Sequence, residues 1–319
     1  MKSRLPKQIY ILMGAVLLLG VLLMTVNQQV PDSESERIQD ALDEATLIAG
    51  IPSVPNLAGW PKDLFTELKQ THAALNEASE RVAALGRLGE IYFANGFYGE
   101  ATQCFAALIK IAPKEPRWPY FMGLASSDYQ DKSVAIRSFE KALLLDTTYP
   151  SIRYELGLAF LDAGHILDSI VHFESLTQLK KWEPWAYYGL ARGLAIEERY
   201  EKALEFIERA IELDQDVKEF YSFAAELMLY RGDRAKVEEV EAIKNALSYE
   251  KRPFDLWFQG LWEFCYDTFR LLRLGEAEAL AGNRDRSLEI LAKAKLVSGS
   301  LEYDPSSFEA IEALIEVLK

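Results

Sequence analysis

Residues 85–113 read LGRLGEIYFANGFYGEATQCFAALIKIAP, and the frame of this stretch organises most of the chain. The frame consists of Leu85, the pair Leu88-Gly89, Tyr92, Gly96, Ala101, Phe105, Leu108 and Pro113. Moved along in steps of 34 residues it returns as Met122-Gly123, Ala135, Phe139 and Ala142, then as Leu156-Gly157, Phe160, Gly164, Ser169, Phe173 and Leu176. A fourth copy has Tyr187, Leu190-Ala191, Ala203, Ile207 and Ala210, and a weaker fifth has Ala224-Ala225 and Gly232. A sixth copy carries Leu274-Gly275, Gly282, Ser287, Leu291 and Ala294, but has Glu278 where the first and third have Tyr92 and Phe160. A fixed period of this size marks a repeat array.

Each copy reads as two helices, A and B, joined at a turn. Gly96, Gly164 and Gly232 fall where helix A must stop, because glycine enters the left-handed region without a Cβ penalty. Inside helix A, Gly89, Gly123, Gly157, Ala191 and Ala225 recur at one place. A mid-helix glycine costs about 1 kcal/mol against alanine, so its recurrence needs a packing reason. The expectation is close approach of helix B, with Ala101, Ala135, Ser169 and Ala203 opposite and Phe105, Phe139, Phe173 and Ile207 filling the space between pairs. No pair buries its apolar face alone, so neighbours must stack.

In these residues the chain resembles the tetratricopeptide repeat family over about 82–301, with one insertion. The resemblance implies an all-α, right-handed solenoid of helix hairpins and a binding role. In such arrays the A helices line a concave groove. Carried over copy by copy, the groove residues are Glu90 and Phe93; Arg117, Tyr120 and Leu124; Tyr154, Leu158 and Asp162; Trp185, Tyr188 and Arg192; and Glu226 and Tyr230. Tyr, Trp and Arg dominate binding energy at interfaces, and aromatic rings with polar tips suit an extended or helical peptide. The alternative is that several of them pack against the next A helix. One family variant clamps a C-terminal carboxylate with Lys and Asn; here those places are aromatic, acidic or aliphatic, and Arg117 and Arg192 alone do not rebuild it.

The chain has 319 residues and a net charge of −14, and its first 26 residues hold Lys2, Arg4 and Lys7 but no acid. A surface so acidic repels phosphate backbones, which argues against nucleic acid as a partner. Ile9–Val26 is an uncharged run with eleven Ile, Leu or Val residues, about 27 Å long as a helix. It reads as a transmembrane helix behind a short cytoplasmic segment (1–8). The basic residues lie only before it, so the positive-inside rule sends the rest across, into the periplasm if the source is a bacterium. A cleaved signal peptide is the rival reading, although no Ala-x-Ala-like site follows.

Residues 27–60 form a stalk ending in a Pro- and Gly-rich linker, and 61–81 a capping helix. The five regular repeats cover 82–251, an aromatic helical insertion 252–267, the sixth repeat 268–301 and a C-terminal capping helix 302–319. In the insertion, Phe254, Trp257, Phe258, Leu261, Trp262 and Cys265 fall on one helical stripe. That stripe reads either as a long helix buried against repeat five or as a patch for a partner or a second copy, with Phe254, Trp257, Phe258 and Trp262 at its centre.

No catalytic motif is present. His165 and His172 stand seven apart across a turn, which is not a zinc spacing, and no Gly-rich phosphate loop or Gly-x-Ser-x-Gly occurs. Cys104 and Cys265 lie far apart along the array among apolar neighbours, as buried thiols do. The sequence thus points to a non-enzymatic scaffold without cofactor or metal, binding a protein or peptide and helping assemble envelope proteins or complexes. A homo-oligomeric structural element and an organelle-surface receptor for imported chains are the alternatives.

Overall fold

The structure is a computed structural model, and it describes residues 45–77, 79–127, 132–247, 251, 253, 255–280, 282–299 and 305–318. The chain divides into two units, Met1–Ile48 and Ala49–Lys319. Of the first, only 45–48 are described, within a helical turn. The apolar run Ile9–Val26 lies outside the described residues, and no described helix is long and apolar enough to cross a membrane.

The second unit is all-helical among its described residues. Helix α1 (Lys62–Ala74) covers the start of the first hairpin, burying Leu64 and Leu68. Five hairpins follow: α2 (Arg81–Ala94) with α3 (Tyr98–Ile111), α4 (Arg117–Ser127) with α5 (Lys132–Leu145), and α6 (Pro150–Asp162) with α7 (Ile166–Leu176). The last two are α8 (Glu183–Ile196) with α9 (Tyr200–Leu213), and α10 (Lys218–Arg231) with α11 (Arg234–Ala246). Each B helix packs on its own A helix, and those of the first four hairpins also pack on the A helix of the next, so one buried layer runs between the two rows.

Helix α12 (Leu256–Gly260) and a 3-10 turn (Leu261–Phe264) precede the hairpin of α13 (Thr268–Leu280) and α14 (Arg284–Gly299). Helix α15 (Pro305–Leu318) closes the chain, burying Ile311 against that hairpin.

The turns follow from backbone sterics. Gly96, Gly164, Gly232 and Gly282 take φ of 81°, 80°, 77° and 81°. Glu198 stands at the matching place in repeat four and takes φ 58°, a region that L side chains enter at a cost. Gly96 has a second reason to lack a side chain: a Cβ there would lie 2.8 Å from the guanidinium of Arg270.

The small residues of helix A do accommodate helix B, but through its large residues rather than its small ones. A Cβ on Gly89, Gly123 or Gly157 would meet the ring of Phe105, Phe139 or Phe173 at 2.7, 2.4 and 2.8 Å. In the sixth hairpin, Gly275 faces Leu291 at 2.6 Å. Phe173 also lies 2.4 Å from the Cβ position of Gly189 in the next A helix, so one ring joins two repeats.

The insertion departs from the long helix expected against repeat five. No residue of α11 is buried, and 255–267 make a five-residue helix, a 3-10 turn and extended chain. Their partners lie on repeats one and two, at Asn95, Tyr120 and Tyr149, and on the sixth hairpin, at Arg286 and Lys293.

Candidate functional site

The face presented by the A helices carries two distinct environments. Over repeats one and two it is occupied by the chain itself. Tyr120, fully buried on α4, donates its hydroxyl to Asp255 Oδ2. Tyr149, just before α6, donates to Asp255 Oδ1 (2.5 Å) and accepts the backbone N–H of Trp257 (2.9 Å). The indole of Trp257 stacks on the Tyr149 ring, with centroids 3.8 Å apart and planes at 14°. Phe258 meets Phe93 edge to face at 6.3 Å.

Further along, Asn95 anchors the following turn. Its Nδ2 donates to the carbonyl oxygens of Ile91 and Phe264, both at 2.7 Å, and its Oδ1 accepts the N–H of Tyr266 at 2.6 Å. Arg87 lies over the Phe264 ring and Arg270 donates to Ala94 O. Trp262 is half-buried; its carbonyl and that of Glu263 accept from Lys293, whose ammonium burial pushes toward the neutral form. The patch residues Trp257, Phe258 and Trp262 therefore have partners within the chain, while Phe254 lies outside the described residues.

The remaining expected groove residues of these repeats sit at the edge. Glu90 is mostly buried, 3.9 Å from Arg117; burial raises its carboxyl above the usual range, and Arg117 and Arg87 oppose that. Arg117 pairs chiefly with Glu115 at 2.9 Å and covers the Trp118 ring. Leu124 is half-buried.

Over repeats three to five the face is open. Tyr154 and Trp185 are not part of it: they are 4% and 3% exposed, packed among Phe173, Trp182 and Phe220 between successive A helices. Leu158 also packs against this core. What remains is a cavity of about 460 Å³ between α8 and α10, lined by Tyr188, Arg192, Ala195, Ile196, Tyr200, Glu219, Phe223, Glu226, Leu227 and Tyr230. Tyr188 donates to Glu219 Oε1 (2.5 Å), and burial followed by this carboxylate raises its phenol. Arg192 lies 5.8 Å from the Tyr188 ring centroid and 3.3 Å from Asp162. Tyr230 is 63% exposed and stacks on Tyr200 at 4.9 Å.

Sequence reasoning missed Tyr149, Asp255 and Asn95 on the occupied half, and Tyr200, Glu219 and Phe223 on the open half. Asp255 had a local signal, as an Asp three residues before Phe258 whose N–H it caps at 3.0 Å. The others lie in turns, in helix B or on the flank of helix A. No three His, Cys, Asp or Glu residues among those described gather closely enough to hold a metal ion. His165 is an exposed partner of Asp168 and His172 stacks on Phe160.

Comparison with known proteins agrees on the repeat. The tetratricopeptide repeat family pattern matches residues 82–115 and 186–217. The chain is 29% identical over 150 residues to the TPR repeat-containing protein YpiA of Bacillus subtilis (strain 168), covering 46% of this chain and 34% of that one. It is 26% identical over 103 residues to the peroxisomal targeting signal receptor of Kluyveromyces lactis, covering 32% and 18%. The chain thus spans about a third of the first relative's length and under a fifth of the second's. A crystal structure of a tetratricopeptide repeat protein from Parabacteroides merdae ATCC 43184 superposes with a TM-score of 0.54 at 15% identity, over 81% of this chain and 93% of that one. The chain carries tetratricopeptide repeats in an all-helical array.

Proposed function

We propose that this chain is a non-enzymatic scaffold that receives a peptide or helix of a partner protein on the open A-helix face of repeats three to five. The observation that carries this is the 460 Å³ cavity between α8 and α10, where Tyr188, Phe223 and Tyr230 offer rings beside Arg192, Glu219 and Glu226. Rings give contact area at little entropic cost, and the mixed charges fix orientation. The name of one relative, a targeting signal receptor, supports a peptide as the ligand.

Ile9–Val26 and the basic residues before it support a single-pass placement, N-terminus in the cytoplasm and repeats beyond the membrane, in the periplasm of a bacterium. Confined there, the scaffold gathers proteins of the envelope into complexes. Arg192→Glu and Tyr230→Ala alter the open face without touching the core, whereas Tyr154→Ala or Trp185→Ala would test folding. Crosslinking in native membranes, with identification of what is captured, should yield a partner that both variants lose. Unchanged capture would remove the cavity from the function, and labelling from each side of the membrane tests the topology.

A further inference from the structure

The grip on Asp255–Phe258 has the composition of a recognition site rather than of a packed core. One carboxylate receives two tyrosine hydroxyls and a backbone N–H, and one indole lies flat on one of those tyrosines. Around these contacts the segment stays open: Leu256 is 60% and Phe258 38% exposed, and α12 buries no residue. The part of the chain that holds the sixth hairpin to the first repeat uses a separate set of bonds: Asn95 to Phe264 O and Tyr266 N–H, and Arg270 to Ala94 O. The two attachments share no hydrogen-bond partner.

We propose that Tyr120, Tyr149 and Phe93 form a socket for an acidic–aromatic turn of the type Asp-x-Trp-Phe, and that residues 255–258 occupy it as a built-in competitor for the same turn on a partner protein. The hydrogen-bond donors of the socket carry the choice of ligand. Tyr120 and Tyr149 both point hydroxyl donors at one place, and Asp255 is the acceptor that satisfies them. The two hydroxyls reach different oxygens of Asp255, so an amide there would turn its N–H₂ toward one of them and an apolar or basic side chain would offer no acceptor, whereas a ligand with a carboxylate and an indole two residues on replaces the cis segment bond for bond. Because the occupant is tethered, a free ligand meets the socket only in the fraction of molecules where residues 255–258 have left it, and its apparent affinity falls by that fraction. The inference rests on the scaffold reading only in placing ligands on the A-helix face, and it assigns them a second position with its own chemistry.

The test is a titration of full-length chain with a labelled synthetic peptide spanning Asp255–Trp262, followed by fluorescence anisotropy. The unaltered chain should bind weakly. Asp255→Ala with Trp257→Ala empties the socket, and binding should tighten about tenfold or more, for a socket open in no more than about 10% of molecules. Adding Tyr120→Phe and Tyr149→Phe to that variant should return binding to the weak level, as should replacing the peptide's aspartate by asparagine. An emptied variant with an unchanged melt that binds no better than the unaltered chain would overturn the proposal. So would tight binding that survives loss of both hydroxyls. Self-association of the unaltered chain that Trp257→Ala abolishes would make a second copy the occupant, and the partner reading would fall. Capture at the open cavity is read in a different experiment, so either result can fail alone.

Discussion

Alanine at Gly123 sets the packing device of the array directly against helix propensity. In a helix interior, Gly to Ala gains about 1 kcal/mol. A Cβ at Gly123 would stand 2.4, 2.6 and 2.7 Å from three atoms of the Phe139 ring, and Phe139 is fully buried with Ala135 and Ala142 of the same helix. The ring cannot swing aside without displacing the layer between α4 and α5, and overpacking of this kind costs roughly 1–3 kcal/mol. Gly99 is the internal reference: it is exposed in the first turn of α3 and an added Cβ meets nothing within 4 Å. Both substitutions exchange a helical glycine for alanine, so the difference between them isolates packing. Gly123→Ala should be less stable than Gly99→Ala by about 1–3 kcal/mol, which lowers the melting temperature by about 2–4 °C for each kcal/mol. Circular dichroism melts measure it. Phe139→Leu should cost less in the Gly123→Ala background than in the unaltered chain, because the smaller side chain vacates the space. Equal melts for the two alanine variants, or an undiminished cost of Phe139→Leu, would refute the seating of ring on glycine.

Asn95→Ala should destabilise the chain by about 1–3 kcal/mol in chemical denaturation, because it leaves Phe264 O and Tyr266 N–H without their partner. Glu198→Gly should raise stability by about 1 kcal/mol in the same assay, since glycine takes φ 58° without the penalty that glutamate meets. Burial pushes the Cys104 thiol up to about 12 and that of Cys265 to about 11. Both should resist alkylation at about pH 8 in the folded chain and react once denaturant is added, as mass spectrometry will register. Burial also lowers the pKa of His72 and His172 below 6.5. The folded state binds protons at these rings less readily than the unfolded chain, so their neutral forms carry no penalty above pH 6.5. Stability is lost as the pH falls below that value, and the imidazole resonances should titrate with midpoints below it in an NMR series.

The repeat was legible because its signal is local and recurrent. Gly96, Gly164 and Gly232 announce the turns, and the spacing of Gly89 to Phe105, repeated at Gly123 and Gly157, announces the hairpin. The direction of individual A-helix residues was not. Tyr154 and Tyr188 occupy corresponding places in their repeats, yet Tyr154 is enclosed by Trp182 and Trp185 whereas Tyr188 reaches a cavity. Spacing within one helix does not report what the next helix puts beside it. The insertion was legible in composition alone. Trp257 and Trp262 share a stripe on an ideal helix, but Trp257 is held by Tyr149 and the turn after Trp262 by Asn95, both more than a hundred residues earlier in sequence. Pro253 and Gly260 were the available warnings that no long helix would form there.

The hydroxyl of Tyr149 and the carboxylate it holds are 106 residues apart, which matters while the protein is being made. Ribosomes add roughly 5–20 residues per second. Tyr149 is therefore added to the chain roughly 5–20 s, and Tyr120 roughly 7–27 s, before the residue that satisfies them exists. During that interval the early hairpins already have the surface to fold while their docking tyrosines stand bare. A nascent chain passes through a period in which any acidic–aromatic segment nearby has unhindered access, and the last third of translation ends it.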